Sequence, residues 1–231
     1  MFFEQYLAKF SWLDWVGLAW FLSCWIGYEL IVERGWIGRK TLLEETHKLR
    51  LEWGRVMLKR NQRIVDVALI GNLLQSLSFY ANTSIYIIAA LFAALGTLDQ
   101  LMAAASELPF SRVMSKEATE IKLLILLGVF VVAYFKFTWS LRQFNLLSIT
   151  LGAVPQDAPE SEQEKHAQKF AAVNSCAGND FNRGLRAYYF GMAVMSWMVS
   201  PWFFICSTVV IVFVLARREF SSPVLQALSK N

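Results

Sequence analysis

Charge is scarce in this chain: only 17% of its 231 residues are Asp, Glu, Lys or Arg, against roughly a quarter in soluble globular domains. Cysteine and histidine are scarcer still, at three and two residues. Cys24 and Cys206 fall in apolar stretches and Cys176 in a polar connector. That spacing excludes a disulfide framework and a thiolate zinc site. His47 and His166 stand alone in polar connectors, where a solvated ring is expected. The sequence also lacks a glycine-rich phosphate loop, a G-x-S-x-G elbow and a pair of carboxylates in an aqueous-looking segment. The chain is therefore expected to be no enzyme and to hold neither metal nor organic cofactor.

What is plentiful is apolar surface. Hydrophobic residues make up 56% of the chain and aromatics 15%, with a mean hydropathy of +0.40. They gather in four stretches, at about 11–32, 67–98, 121–141 and 187–216. At ~1.5 Å per residue, a helix of each length crosses a hydrocarbon core of ~30 Å. The expected fold is all-α: a polytopic membrane protein with a four-helix transmembrane bundle, forming one integral membrane domain over 1–231. Met1-Phe-Phe-Glu4 lacks the basic start of a secretory signal, so the first stretch is expected to stay as a membrane helix. Trp12, Trp15, Trp36 and Trp202 lie at stretch ends, where indole rings anchor at the interface. A pI near 9.0 in such a chain points to basic cytoplasmic connectors, not to nucleic acid.

Counting Lys and Arg gives an orientation. The first and third connectors together hold thirteen, including Arg50, Arg55, Lys59, Arg60, Arg63, Arg183 and Arg186, against seven on the opposite side. The positive-inside rule places those two connectors in the cytoplasm and both termini outside, although the Arg217-Arg218 pair argues the other way. The location expected is the bacterial inner membrane. Both cytoplasmic connectors read as amphipathic helices, at about 41–66 and 161–176. Thr41-Leu-Leu-Glu44 and Ser161-Glu-Gln-Glu164 match capping boxes. No proline interrupts before Leu98, so the first of these helices is expected to run into the second span, with Gly54 or Gly71 as places to bend. Gly178-Asn179 is expected to end the second. Pro201 should kink the last span and free a carbonyl four residues back.

Ionisable groups at membrane depth cost roughly 2.5–3.5 kcal/mol on insertion scales, so each needs a partner, water or a task. Glu29, Asp66, Lys136 and Arg142 are the intramembrane candidates. Glu29–Lys136 and Asp66–Arg142 are sterically reasonable pairs. Near the same end, Asn145, Asn182, Arg183 and Arg186 could line a cytoplasmic vestibule. The plainer reading makes all of these structural ties between helices. In the second span, Asn72, Gln75, Ser76, Phe79, Asn82, Thr83 and Tyr86 recur every three or four residues, drawing a polar stripe on one helix face. That stripe faces either neighbouring helices or a water-filled pore.

The run Arg60-Asn-Gln-Arg-Ile-Val-Asp66, followed by Ile70-Gly-Asn-Leu-Leu-Gln-Ser76 and Phe79-Tyr-Ala-Asn-Thr83, resembles the domain of unknown function 599 family. So do Phe135-Lys-Phe-Thr-Trp-Ser-Leu-Arg-Gln-Phe-Asn145, Phe181-Asn-Arg-Gly-Leu-Arg-Ala-Tyr-Tyr-Phe190 and Arg217-Arg-Glu-Phe-Ser-Ser222. The resemblance implies an integral membrane protein of bacterial type and brings no activity with it. Two functions then stand side by side. One is a homo-oligomeric channel or carrier for a small solute or anion, with the stripe lining the path. The other is a structural or accessory protein that docks a partner subunit or anionic lipid. Membrane lipids are partners in both, and nucleic acid in neither.

Overall fold

The computed structural model describes residues 10–34, 41–106, 115–155 and 159–229, and every regular element within them is an α-helix. In chain order these are α1 (Trp12–Arg34), α2 (Leu42–Leu58), α3 (Ile64–Gly96), α4 (Leu98–Ser106), α5 (Lys116–Ala153), α6 (Glu160–Ser196), α7 (Pro201–Phe220) and α8 (Pro223–Ser229). Three are long and apolar enough to cross a membrane: α1 over Trp12–Glu33, α3, and α5. Lys9, Trp36, Arg39, Lys40, Arg112 and Lys230, used above for anchoring and orientation, lie outside the described residues.

The helix ends follow from local chemistry. At the start of α1, Ser11 Oγ accepts from the Asp14 amide (3.3 Å) while the Asp14 carboxylate accepts from the Ser11 amide (3.0 Å), a reciprocal cap. Thr41, in extended conformation, caps α2 by accepting from the Glu44 amide at 3.1 Å. The second expected box does not form. α6 starts at Glu160, with the Pro159 carbonyl accepting from Glu162 and Gln163, which leaves Ser161 inside the first turn.

Three expected boundaries move. The helix from 41 does not run into the second span: α2 stops at Leu58 and α3 begins at Ile64, with neither Gly54 nor Gly71 as the break. The polar run Lys59-Arg-Asn-Gln-Arg63 has no apolar side chain to pack. Its arginines instead reach Asp66 and the carbonyl end of α5. Gly178-Asn179 does not end α6, which continues unbroken to Ser196. The stretch 187–216 is two helices, because the chain turns at Trp197–Val199 before Pro201 opens α7. Proline at the first helical position loses no intrahelical bond, whereas inside a helix it removes one.

Contacts divide the chain into two compact units. The first comprises Met1–Trp36, Ser84–Ala133 and Arg186–Leu215. Its core is aromatic: Trp25 stacks on Phe190 at 5.3 Å, Trp197 stacks on Phe204 at 4.5 Å, and Phe21 lies between Phe190 and Phe204. Ser84 and Tyr188 share a hydroxyl–hydroxyl bond of 2.9 Å. The second unit comprises Ile37–Thr83, Tyr134–Leu185 and Ala216–Asn231. There Tyr80 stacks on Phe137 at 5.5 Å, and Gly184 brings the α6 backbone so near that a side chain would run into the Phe137 ring. Trp53 of α2 packs edge-on to Phe170 of α6, and Glu219 accepts from the Leu43 amide at 3.0 Å.

Candidate functional site

The predicted stripe on α3 lies open. Asn72, Gln75, Ser76 and Asn82 are exposed, Phe79 and Tyr86 are 66% and 73% exposed, and Thr83 is half-buried. Of the three long apolar helices, α3 buries the smallest share of its apolar window, 11% against 22% and 39%. The two hydroxyls satisfy themselves on their own helix, Ser76 donating to the Asn72 carbonyl (3.1 Å) and Thr83 to that of Phe79 (2.8 Å). The carboxamides of Asn72, Gln75 and Asn82 have no hydrogen bond among the described residues.

Two of the four intramembrane charges, Asp66 and Lys136, are paired, and not with the partners expected. Asp66, fully buried, accepts from Arg60 (2.6 Å) and from the Trp53 indole (2.7 Å), so the Asp66–Arg142 pair does not form. Arg142 is exposed and lies over the Trp139 ring at 5.5 Å. Lys136 stands 3.6 Å from Asp180, while half-buried Glu29 belongs to the other unit. Asp180 also accepts from Gln143 (2.6 Å) and from Arg183 (3.1 Å). Of the vestibule residues, then, Arg183 joins the intramembrane candidate Lys136 around one carboxylate. Asn145 and Asn182 are exposed, and Arg186 lies in the first unit, 3.7 Å from Glu33 and over the Tyr28 ring.

Asp180 is the residue that sequence reasoning missed. It sits in a connector, and nothing local marks a carboxylate whose partners on α5 lie 37 to 44 positions away. A second polar knot was missed in the first unit. The Trp197 indole donates to Asp14 at 2.7 Å, and Lys122 lies 3.6 Å from the same carboxylate. Lys122 also donates to the Trp197 carbonyl at 3.1 Å. That carbonyl is the one four residues before Pro201, whose nitrogen has no proton to offer it. The freed carbonyl was legible in the sequence; the lysine that satisfies it was not.

Helices long and apolar enough to span a bilayer, with no other kind of regular element among the described residues, define an all-helical protein of membrane-protein composition. The chain belongs to the DUF599 family, proteins of unknown function, whose family model matches residues 16–224. Neither a curated protein nor a solved structure matches it.

Proposed function

We propose that this is a non-enzymatic, four-span protein of the bacterial inner membrane that assembles with copies of itself along the α3 stripe and passes a small polar solute. The observation that carries the proposal is the exposure of Asn72, Gln75, Ser76, Phe79 and Asn82 on the single chain. A carboxamide without a partner is costly in hydrocarbon, so this face belongs against another polar surface or against water. A carboxamide both donates and accepts, which makes the stripe complementary to itself. Closed cyclic symmetry would bring several copies around one axis.

In this reading α1, α3 and α5 are three spans, and the end of α6 with α7 forms the fourth, broken at Trp197–Ser200. The first and third connectors face the cytoplasm, with both termini outside. A neutral or weakly polar solute suits the path better than an anion, because the ammonium of Lys136 is held by Asp180.

Native mass spectrometry from detergent is the test. The expected result is a discrete oligomer that Gln75→Leu/Asn82→Leu converts to the 26.4 kDa chain, with liposome flux lost in parallel. A wild-type monomer would overturn the assembly and favour an accessory role beside a different subunit.

A further inference from the structure

Among the described residues, Arg50 is the one Lys or Arg of α2 with no ion-pair partner. Elsewhere on that helix, Lys48 is tied to Glu45 (2.7 Å) and Arg55 to Glu164 (2.8 Å). The Arg50 guanidinium points inward instead. Its Nη1 is buried without a hydrogen-bond partner, and it presses so closely on Gly178 of α6 that a side chain there would collide with it. Burial pushes its pKa down, yet an arginine remains a cation at any physiological pH. The nearest way to relieve such a group would be a carboxylate, but Asp180 is already shared by Lys136, Gln143 and Arg183.

A second unmatched donor lies on the same face. Asn174 precedes Gly178 by four residues, one helical turn, and so shares its side of α6. It is 2% exposed, and its Nδ2 is buried with no acceptor. Beside it, His47 Nδ1 and Ser175 Oγ hold α2 to α6 at 2.8 Å. Two buried donor nitrogens are thus unmatched on one helix–helix seam, one of them on a guanidinium.

We propose that Arg50 and Asn174 bind the phosphate group of an anion. The Arg50 Nη1 offers a charge-assisted N–H bond to a phosphate oxygen, and the Asn174 carboxamide adds a second donor. Two sources share that chemistry: a phospholipid headgroup and free inorganic phosphate. Neither depends on the α3 stripe or on assembly through it.

The full-length protein, delipidated in a neutral detergent, separates them by thermal unfolding. Inorganic phosphate, phosphatidylglycerol and the phosphate-free lipid monogalactosyldiacylglycerol are titrated separately at constant ionic strength. The expected result is a saturable rise in Tm of several degrees with at least one phosphate-bearing probe and none with the galactolipid. A response to inorganic phosphate assigns a soluble ligand; a response to phosphatidylglycerol alone assigns the headgroup. Arg50→Leu and Asn174→Leu should abolish the response, and Arg50→Lys should keep part of it. Native mass spectrometry should find one probe per wild-type chain. Where Arg50→Leu fails to fold, Asn174→Leu and Arg50→Lys carry the comparison. No response of the wild type to either phosphate probe, or a full response in Asn174→Leu, would overturn the proposal.

Discussion

Lys122 stands where an amide proton is missing. In an unbroken helix the Trp197 carbonyl would accept from residue 201, and proline cannot donate. The ammonium takes that place while facing Asp14, so one side chain serves as helix cap and counter-ion together. Removing one member of a buried ion pair costs about 3–5 kcal/mol. Lys122→Met is accordingly expected to unfold at markedly lower denaturant or temperature than the wild type. Pro201→Ala supplies an amide proton four residues on from the Trp197 carbonyl and should soften that loss. A double-mutant cycle on unfolding free energies should therefore show coupling of about 0.5–3 kcal/mol between two residues 79 positions apart in sequence. Additive effects would mean that the lysine acts through Asp14 alone. The proline's half of this arrangement is legible from its position in an apolar run. The lysine's half is not, because Lys122 resembles any basic residue near a helix start until the fold brings Trp197 to it.

At the scale of the helix, periodicity was a good guide to what forms and a poor one to where it stops. The Thr41 cap and the first three apolar stretches follow from spacing within one element, and the structure has a helix at each. The break at 59–63 has no glycine or proline to announce it. It arises because Arg63 turns aside to cap the Leu151, Val154 and Pro155 carbonyls at the end of α5 (3.1, 2.7 and 3.2 Å). Conversely, Gly178 looks like a helix stop and is a packing site, its missing side chain making room for Arg50. Between α2 and α6, Arg55 holds the Glu164 carboxyl below the usual glutamate range through their hydrogen bond. A depressed carboxylate pKa adds stability above its unfolded value, and that stability is lost as pH falls through the folded value. The pair is half-exposed, so its contribution is small. Thermal melts of the wild type and Arg55→Ala should therefore differ slightly at neutral pH and converge in acid, below the ordinary glutamate range. A gap that persists there would show that Arg55 acts by packing.

For the molecule as a whole, the proposed orientation gives the three cysteines two different fates. Cys176 is exposed on α6 in the third connector, Cys206 is exposed on α7 within an apolar run, and Cys24 is half-buried on α1. A membrane-impermeant maleimide should leave Cys176 untouched in intact spheroplasts and label it in inside-out vesicles. Cys24 and Cys206 should stay unlabelled in both, since a charged reagent does not enter hydrocarbon. Labelling of Cys176 from outside would reverse the topology and leave the helix assignments standing. Composition made the membrane class readable at once. Which polar groups meet was hidden, because most of the pairs that matter join residues far apart in sequence.

The bond from Trp197 to Asp14 closes a loop of 183 residues, and this sets a clock on biosynthesis. At synthesis rates of about 5–20 residues per second, α1 leaves the ribosome roughly 10–40 s before its indole partner exists. Until Lys122 emerges, Ser11 is the one polar partner of the Asp14 carboxylate among the described residues. A helix made early is thus among the last to be finished, and a chain truncated ahead of residue 122 would present quality-control proteases with an acid lacking its counter-ion in an apolar segment.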